Sequence, residues 1–330
     1  MDLTLLETLT QTFGPSGYED RIRGVIRNAI EPKATEIRVD ALGSLVSLQR
    51  GKGKEGQRQK ILLAAHMDEI GLMATHIEEK GFVRFTSIGG LQAISRIGTR
   101  AKFADGTSGP IYVERREETS KVPALSHLYV DVGATGREDC PVRVGDPAVF
   151  VGPLQKQGNR LISKAMDNRI GCYVLIEALR RLEQPHHDVF FVFTTQEEIT
   201  LSGARTSAYR IEPDLAISVD VTSTGDTPKA LPMDVSLGGG PAIKVKDSGM
   251  IAHPKVRDML VDAGEQAKVP YQMEVLLRGS TDAAAMQLVR RGVPSGCLSI
   301  PCRYVHTTSE MIDVTDVEGA VDLLVHLLSH

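Results

Sequence analysis

The sequence contains no tryptophan, and only four of its 330 residues are cysteines. No two of them are spaced as C-x-x-C, so the sequence offers neither a zinc knuckle nor a thioredoxin-type redox motif. Dispersed cysteines of this kind are typical of a reducing compartment, where they serve as small apolar side chains. Any metal chemistry in this chain would therefore depend on histidine and carboxylate ligands.

Long apolar runs and a strong net charge are also missing. No stretch approaches the roughly 20 apolar residues that span a bilayer, and the first residues lack the basic start and apolar run of a signal peptide. The net charge is −4, so no basic field indicates nucleic acid as a partner. We therefore expect a cytoplasmic protein that binds neither membranes nor nucleic acid.

What the chain does contain is an alternation of apolar runs with amphipathic segments. Residues 61–65 and 189–193 are continuous apolar runs, and residues 215–219 are apolar apart from Ser218. Such runs are typical of strands that are buried on both faces of an α/β sheet. The helical segments between them complete the pattern of an α/β fold, for which we expect a mixed sheet flanked by helices.

This pattern is interrupted once. Residues 71–154 show short β-rich runs broken by glycine and proline, with a short helix at most near 137–143. The sequence therefore predicts one α/β domain, formed by residues 1–70 and 155–330, with a small inserted β-barrel domain at 71–154.

Side chains that can bind metal recur where predicted strands end or in the turns that follow: His66, Asp167, Glu197, Glu198, Asp220 and His306. A lone histidine or aspartate in such a place is usually a surface or turn residue, and we interpret the remaining histidines, His330 among them, in that way. The recurrence of such residues at the ends of several strands instead indicates a ligand site, because ligands bind at the carboxyl ends of the strands in open α/β sheets. Carboxylates combined with two imidazoles suit zinc, cobalt or manganese.

Such a site would meet the chemical needs of peptide-bond hydrolysis. Two divalent ions roughly 3.5–4 Å apart can activate a water molecule and stabilise the tetrahedral oxyanion. One carboxylate must bridge the ions, and another must take the proton of the water and pass it to the leaving amine. On an extended chain the side chains of Glu197 and Glu198 diverge, so that one can bind metal while its neighbour faces the water.

Asp68 follows His66 by two residues, and on an extended segment both side chains point the same way. Its carboxylate can then accept the free imidazole N–H and fix the tautomer of His66. The alternative is that Asp68 only forms a turn.

Six motifs together resemble the tetrahedral (TET) aminopeptidases, a family that includes glutamyl and deblocking aminopeptidases and members labelled as cellulases. The motifs are HMDEIG at 66–71, SKAMDNRIG at 163–171, TTQEEITLSGA at 194–204, SVDV at 218–221, GSTDAAAM at 279–286 and SIPCRYVHTTSEM at 299–311. The match runs in order from about residue 5 to residue 328 and covers nearly the whole chain. The resemblance implies a metal-dependent aminopeptidase that acts on peptides.

The resemblance also implies a set of metal ligands for two divalent ions, with zinc or cobalt expected and manganese as an alternative. Asp167 would bridge both ions. His66 and Asp220 would complete one site, and Glu198 and His306 would complete the other.

Two further roles follow from the same resemblance. Glu197 would be the general base, and Asp68 would support His66. The peptide bond between Asp167 and Asn168 would be cis.

The family fold assigns the insert as well. Residues 71–154 would form a PDZ-like β domain that mediates dimerisation and assembly. Relatives form twelve-subunit tetrahedral shells, so the resemblance implies self-association as a dimer or as a tetrahedral dodecamer.

The turn at Gly279, Ser280 and Asp282 resembles the family's loop beside the substrate. Glycine permits close approach of the backbone, and Asp282 either caps the following helix or contacts the substrate. Arg278, just before the turn, either binds an acidic substrate side chain in bidentate fashion or is solvated at the surface.

Two other functions compete with an aminopeptidase. A glycoside hydrolase normally needs two carboxylic acids and no metal, whereas these carboxylates are accompanied by histidines and the chain has no tryptophan for sugar stacking. A non-catalytic scaffold that assembles through the insert would have no need of Glu197. Both alternatives are disfavoured.

Overall fold

The computed structural model describes residues 1–118 and 121–329. Thr119, Ser120 and His330, the last of which counts among the predicted non-ligand histidines, lie outside the described residues. None of the described helices is long and apolar enough to cross a membrane.

The chain before the insert supplies two helices and three strands. They are α1 (Leu3–Gln11), α2 (Asp20–Ile30), β1 (Glu36–Val39), β2 (Leu45–Gln49) and β3 (Lys60–His66). The Asp2 carboxylate begins α1 by accepting the backbone N–H groups of Thr4 and Leu5.

The insert is made of β-strands with two short 3₁₀ turns. Its strands are β4 (Gly71–Ile77), β5 (Val83–Ile88), β6 (Arg100–Phe103), β7 (Ser108–Val113), β8 (Leu128–Val130) and β9 (Pro147–Phe150). The 3₁₀ turns lie at Ala93–Ser95 and Leu125–His127.

The remainder of the chain returns to alternating strands and helices. In order, these are β10 (Gln155–Gln157), β11 (Arg160–Ser163), α3 (Met166–Arg181), β12 (Asp188–Thr194), α4 (Glu197–Thr200), α5 (Ser202–Ile211), β13 (Leu215–Thr222), β14 (Ala242–Lys246), α6 (Pro254–Ala267), β15 (Gln272–Val275), α7 (Asp282–Met286), β16 (Ser295–Pro301), β17 (Glu310–Asp313) and α8 (Val314–Ser329).

The main sheet has the strand order β1-β2-β12-β3-β13-β16-β14-β15. Its four central strands, β12, β3, β13 and β16, run parallel, whereas β2 and β14 join them antiparallel. The predicted mixed sheet flanked by helices is thereby confirmed. Because the central strands share one direction, their carboxyl ends lie at the same edge of the sheet.

Helices cover both faces of this sheet, and the side chains of each strand alternate between them. On one face, Leu63 and Ile217 pack with apolar residues of α1, α2, α3, α6 and α8. On the other face, Leu62 and Ala64 pack against the alanine-rich helices α5 and α7. Small residues let these two helices lie close to the sheet, next to the edge where His66 emerges.

The insert forms a closed barrel with the strand order β4-β5-β8-β7-β6-β9 and its own apolar core. The sequence-based prediction of a barrel is confirmed, but residues 137–143 form turns rather than a short helix. The Asp139 carboxylate accepts the backbone N–H groups of Thr135 and Gly136, which precede it, and Pro141 has no N–H to donate.

A buried ion pair near the edge of the main sheet was not predicted. Lys244 on β14 and Glu274 on β15 are both fully buried, and Lys244 Nζ lies 2.5 Å from Glu274 Oε1. The same oxygen accepts the Thr222 hydroxyl at 2.7 Å, and Asp247 lies 3.9 Å from the ammonium. Removing one partner of such a pair leaves an uncompensated charge in the core.

We expect Glu274→Leu to lower the free energy of unfolding by about 3–5 kcal/mol. The double variant Lys244→Met/Glu274→Leu should recover part of that loss, because the buried ammonium is then gone, although Asp247 loses its nearby cation. Urea denaturation measures both values. Glu36→Leu, which removes an exposed partner of Arg50, is the control and should cost less than about 1 kcal/mol. Equal losses in the single and double variants would contradict this account.

Candidate metal centre

The carboxyl edge of the central strands brings together all six side chains that the sequence singled out as ligands or base. They line one cavity of about 440 Å³: His66, Asp167, Glu197, Glu198, Asp220 and His306. His66 ends β3 and Asp220 lies near the end of β13, whereas the others lie in the first turns of helices or in the segment between β16 and β17. Residues far apart in the sequence thus meet because the parallel strands end at one edge.

Asp167 occupies the centre of this group. Its Oδ1 lies 3.0 Å from Nε2 of His66, and its Oδ2 lies 3.2 Å from Nε2 of His306. Glu198 Oε2 is also 3.2 Å from Nε2 of His306, and Asp220 Oδ1 is 3.7 Å from Nε2 of His66. The side chains therefore form two overlapping sets that share the Asp167 carboxylate, and the Asp167–Asn168 peptide bond is cis, as the resemblance implied.

Asp68 has more contacts than a partner of His66 alone would need. Nδ1 of His66 lies 3.1 Å from the Asp68 carbonyl oxygen and 3.5 Å from Oδ1 of the carboxylate. The carboxylate also accepts the backbone N–H groups of Glu197 and Glu198, at 3.1 and 3.3 Å, and the Ser16 hydroxyl at 2.5 Å. Asp68 therefore joins the end of β3 to the turn that carries both glutamates.

Sequence reasoning missed Ser16, which lies in the Gly14–Gly17 turn after α1. Its hydroxyl and the Asp68 carboxylate are both buried, so their hydrogen bond has little competition from water. A serine in a glycine- and proline-rich turn is an ordinary turn residue, and no local pattern distinguishes this one.

The conformation of the adjacent glutamates differs from the extended chain that the sequence suggested. Glu197 and Glu198 begin the single helical turn α4, between Gln196 and Leu201, which both have positive φ of 55°. Their side chains still diverge. Glu198 faces His306, whereas Glu197 Oε2 lies 3.8 Å from Nε2 of His66.

Crowding of the carboxylates dominates the electrostatics of the cluster. Burial raises the pKa of Glu197 well above its usual range, and the Asp220 and Glu198 carboxylates add to this shift. Burial alone would lower the pKa of His306, but the nearby Glu198 and Asp167 carboxylates raise it to about 12. From the protein's own groups alone, the cluster thus favours binding positive charge.

Divalent cations fit this arrangement. Two groups, His66 with Asp167 and Glu198 and His66 with Glu197 and Asp220, each place their ligand atoms within 4.8 Å of one another. Oε1 of Glu198 is buried and has no hydrogen-bond partner among the described residues. Imidazole and carboxylate ligands without thiolate suit zinc, cobalt or manganese, and binding would displace the protons that the crowded groups hold.

The predicted substrate residues divide into two groups. Arg278, Gly279 and Ser280 line the same cavity as the ligands. Asp282 does not, since it is 1% exposed and accepts the Thr194 hydroxyl beneath the cavity. It is the first residue of α7, whose N-cap is Thr281, so Asp282 does not cap this helix.

Comparison with known proteins places the whole chain among peptidases. The profile of the M42 glutamyl aminopeptidase family matches residues 43–323. A candidate aminopeptidase of Acetivibrio thermocellus is 47% identical over 326 residues, which cover 98% of this chain and 97% of that protein.

Solved structures agree over the same length. An aminopeptidase from the archaeon Desulfurococcus kamchatkensis superposes with a TM-score of 0.95 at 39% identity, covering 99% of this chain and 94% of that one. The TET1 peptidase of Pyrococcus horikoshii, which can assemble into a tetrahedron or a large octahedral shell, has a TM-score of 0.89 at 32% identity and coverages of 99% and 98%.

We expect Asp68→Asn to lower the free energy of unfolding by about 1–3 kcal/mol, because one acceptor oxygen becomes an NH₂ group that faces donors. Chemical denaturation in the presence of a chelator measures this loss without a contribution from metal. Asp322→Asn on α8 is the control. It weakens an exposed pair with Arg181 at the end of α3 and should change stability by less than about 1 kcal/mol. Equal stability of Asp68→Asn and wild type would contradict the hydrogen-bond assignment.

Proposed function

Because this chain belongs to the M42 glutamyl aminopeptidase family and is an aminopeptidase, we propose that it removes N-terminal residues from peptides with two divalent metal ions and with Glu197 as general base. The observation that carries this proposal is the position of Asp167, whose two carboxylate oxygens each face a different histidine. A carboxylate held in this way is suited to bridge two cations.

These distances support the ligand sets that the resemblance implied. His66 and Asp220 would hold one ion, and Glu198 and His306 would hold the other, with Asp167 shared. Zinc or cobalt is the expected metal, with manganese as an alternative. Two such ions, when bound, supply Lewis acidity that lowers the pKa of a water molecule and polarises the scissile carbonyl.

Glu197 is suited to move the proton. Its side chain is 11% exposed and lies on the His66 side of the cluster, and the Asp68 carboxylate holds its backbone N–H. Burial raises the pKa of Glu197, which strengthens it as a base. Glu197 would accept the proton of the attacking water and return it to the leaving amine.

Arg278, Gly279 and Ser280 are the proposed substrate contacts, because they line the cavity beside the ligands. Arg278 is exposed and its guanidinium can bind a carboxylate in bidentate fashion. We propose that it favours peptides with an acidic first residue.

Self-association through the barrel is also proposed. Four large apolar side chains of the insert are more than half exposed: Ile94, Tyr112, Val122 and Val144. Exposed apolar residues on a small domain are suited to contact a second copy. The assembly of the Pyrococcus horikoshii relative into a tetrahedron or an octahedral shell supports self-association. For this chain we propose a dimer or a tetrahedral dodecamer in the cytoplasm.

The experiment is a panel of aminoacyl-p-nitroanilides, assayed with metal-loaded protein. Turnover should disappear with a chelator and return with cobalt or zinc. Glu197→Gln should lower kcat by about 10²–10⁴-fold, because general base catalysis is lost, while the metal content stays near two ions per chain. Loss of metal in this variant would instead exchange the roles of Glu197 and Glu198, and absence of turnover on every unblocked substrate would refute the proposal.

For substrate choice, Arg278→Met should lower kcat/KM for glutamyl and aspartyl substrates by about 10–100-fold, the equivalent of one charge-assisted hydrogen bond of about 1.5–3 kcal/mol. The value for leucyl substrates should change little. Arg257→Met on α6, which removes an exposed partner of Asp258, is the matched control. A uniform loss across all substrates would remove Arg278 from the specificity-determining residues.

A further inference from the structure

The barrel reaches into the metal centre, although it belongs to a different domain. Gly89 and Gly90 follow β5, and Gly90 lines the cavity. A Cβ atom at Gly89 would lie 3.0 Å from Oε2 of Glu198, and one at Gly90 would lie 3.0 Å from Nδ1 of His306. The two glycines therefore permit the barrel backbone to lie directly against two of the proposed ligands.

Arg96, a few residues further along the barrel, contacts the same histidine. Its side chain is fully buried, with the guanidinium 4.1 Å from the centre of the Phe150 ring. Nη2 donates a hydrogen bond to the backbone carbonyl of His306, while Nε and Nη1 have no partner among the described residues. Among the described residues, this buried guanidinium therefore donates its hydrogen bond to the backbone of His306 alone.

The other side of the His306 backbone is held by Glu310 on β17. Its Oε1 accepts the His306 N–H at 2.7 Å, and its Oε2 accepts the Asp167 N–H at 3.0 Å. Glu310 is 1% exposed, so these hydrogen bonds form away from water. One carboxylate thereby fixes the spacing between Asp167 and His306.

His306 needs this support, because its backbone has a positive φ of 62°. A residue other than glycine is strained in this conformation and keeps it only where its surroundings hold it there. Arg96 at the carbonyl and Glu310 at the N–H hold the His306 backbone in this conformation. Without them His306 would relax toward negative φ, and its imidazole would move away from Asp167.

We propose that Arg96 is a positioning residue for the metal ion that His306 binds, so that the inserted barrel builds part of the metal centre as well as serving in assembly. Arg96 fixes the His306 backbone together with Glu310, and the imidazole is thereby held 3.2 Å from both Asp167 and Glu198. This inference rests on the proposed two-metal function, but it makes a separate claim, namely that a residue of the barrel controls the affinity of one ion.

The test is the stepwise binding of cobalt(II) to Arg96→Met, followed by absorption and by equilibrium dialysis. Methionine keeps the packing on Phe150 but has no donor. One of the two ions should bind about 10–100-fold more weakly, as is typical when a partner of a metal ligand is removed, and the other should keep its wild-type affinity. Arg96→Lys, which keeps a donor, should restore part of the affinity. Arg84→Met, which removes a barrel arginine paired with Glu78 and Glu114, is the matched control and should bind as wild type does.

Two unchanged affinities in Arg96→Met, or two that fall equally, would overturn the proposal. A change in subunit number by light scattering that accompanies the metal loss would assign the effect to assembly and would overturn it as well. Wild-type protein that binds fewer than two ions would count against the proposed function itself, so the two failures are distinguishable.

Glu310→Gln provides a second test if Arg96→Met does not fold. Because Glu310 holds the N–H groups of both Asp167 and His306, this variant should weaken both ions. Asp316→Asn is its matched control, since Asp316 is a buried carboxylate that accepts the N–H groups of Gly238 and Gly240. Retention of both affinities in Glu310→Gln, or their equal loss in Asp316→Asn, would overturn the proposal.

Discussion

Repulsion among carboxylates at the carboxyl edge of the main sheet is the constraint on which the rest of this structure depends. Asp167, Glu197, Glu198 and Asp220 converge on two imidazoles in a partly buried cavity. Water alone cannot screen like charges held this close at low dielectric. The protein must therefore supply hydrogen-bond donors and positive charge to hold the cluster together until cations occupy it.

Residues around the cluster hold its members in place. The Asp68 carboxylate accepts the backbone N–H groups of Glu197 and Glu198 and thereby fixes the turn that carries both glutamates. Further out, Glu69 is paired with Lys164 at 2.6 Å and with Arg169 at 3.3 Å, all three buried. Lys164 and Arg169 lie on either side of Asp167 in the sequence, so the segment that carries Asp167 is tied to Glu69 at both ends. The ligands are thus pre-positioned, which is what a metal site with defined affinity requires.

The need to hold the carboxylates in place also explains what the barrel contributes to the cluster. A barrel inserted directly after β3 begins five residues from His66, so its backbone stays close to the cluster. Gly90 then lines the cavity, Gly89 lies against Glu198, and Arg96 reaches the carbonyl of His306. The insert therefore lines the proposed metal centre, and its exposed apolar side chains leave its outer surface suited to assembly.

The amino-acid sequence by itself determined the α/β pattern, the interruption by a β-rich insert and the candidate ligands, because continuous apolar runs define buried strands and the polar residues after them define the edge. Only the tertiary structure revealed Ser16, Arg96, Glu310 and the pair formed by Lys244 with Glu274. Each makes a contact with a residue at least 30 positions away, and of these contacts only the second one of Glu310, with His306, is local. A single residue type in a turn or strand carries no record of such contacts, so the sequence could place the ligands at one edge but could not show what holds them there.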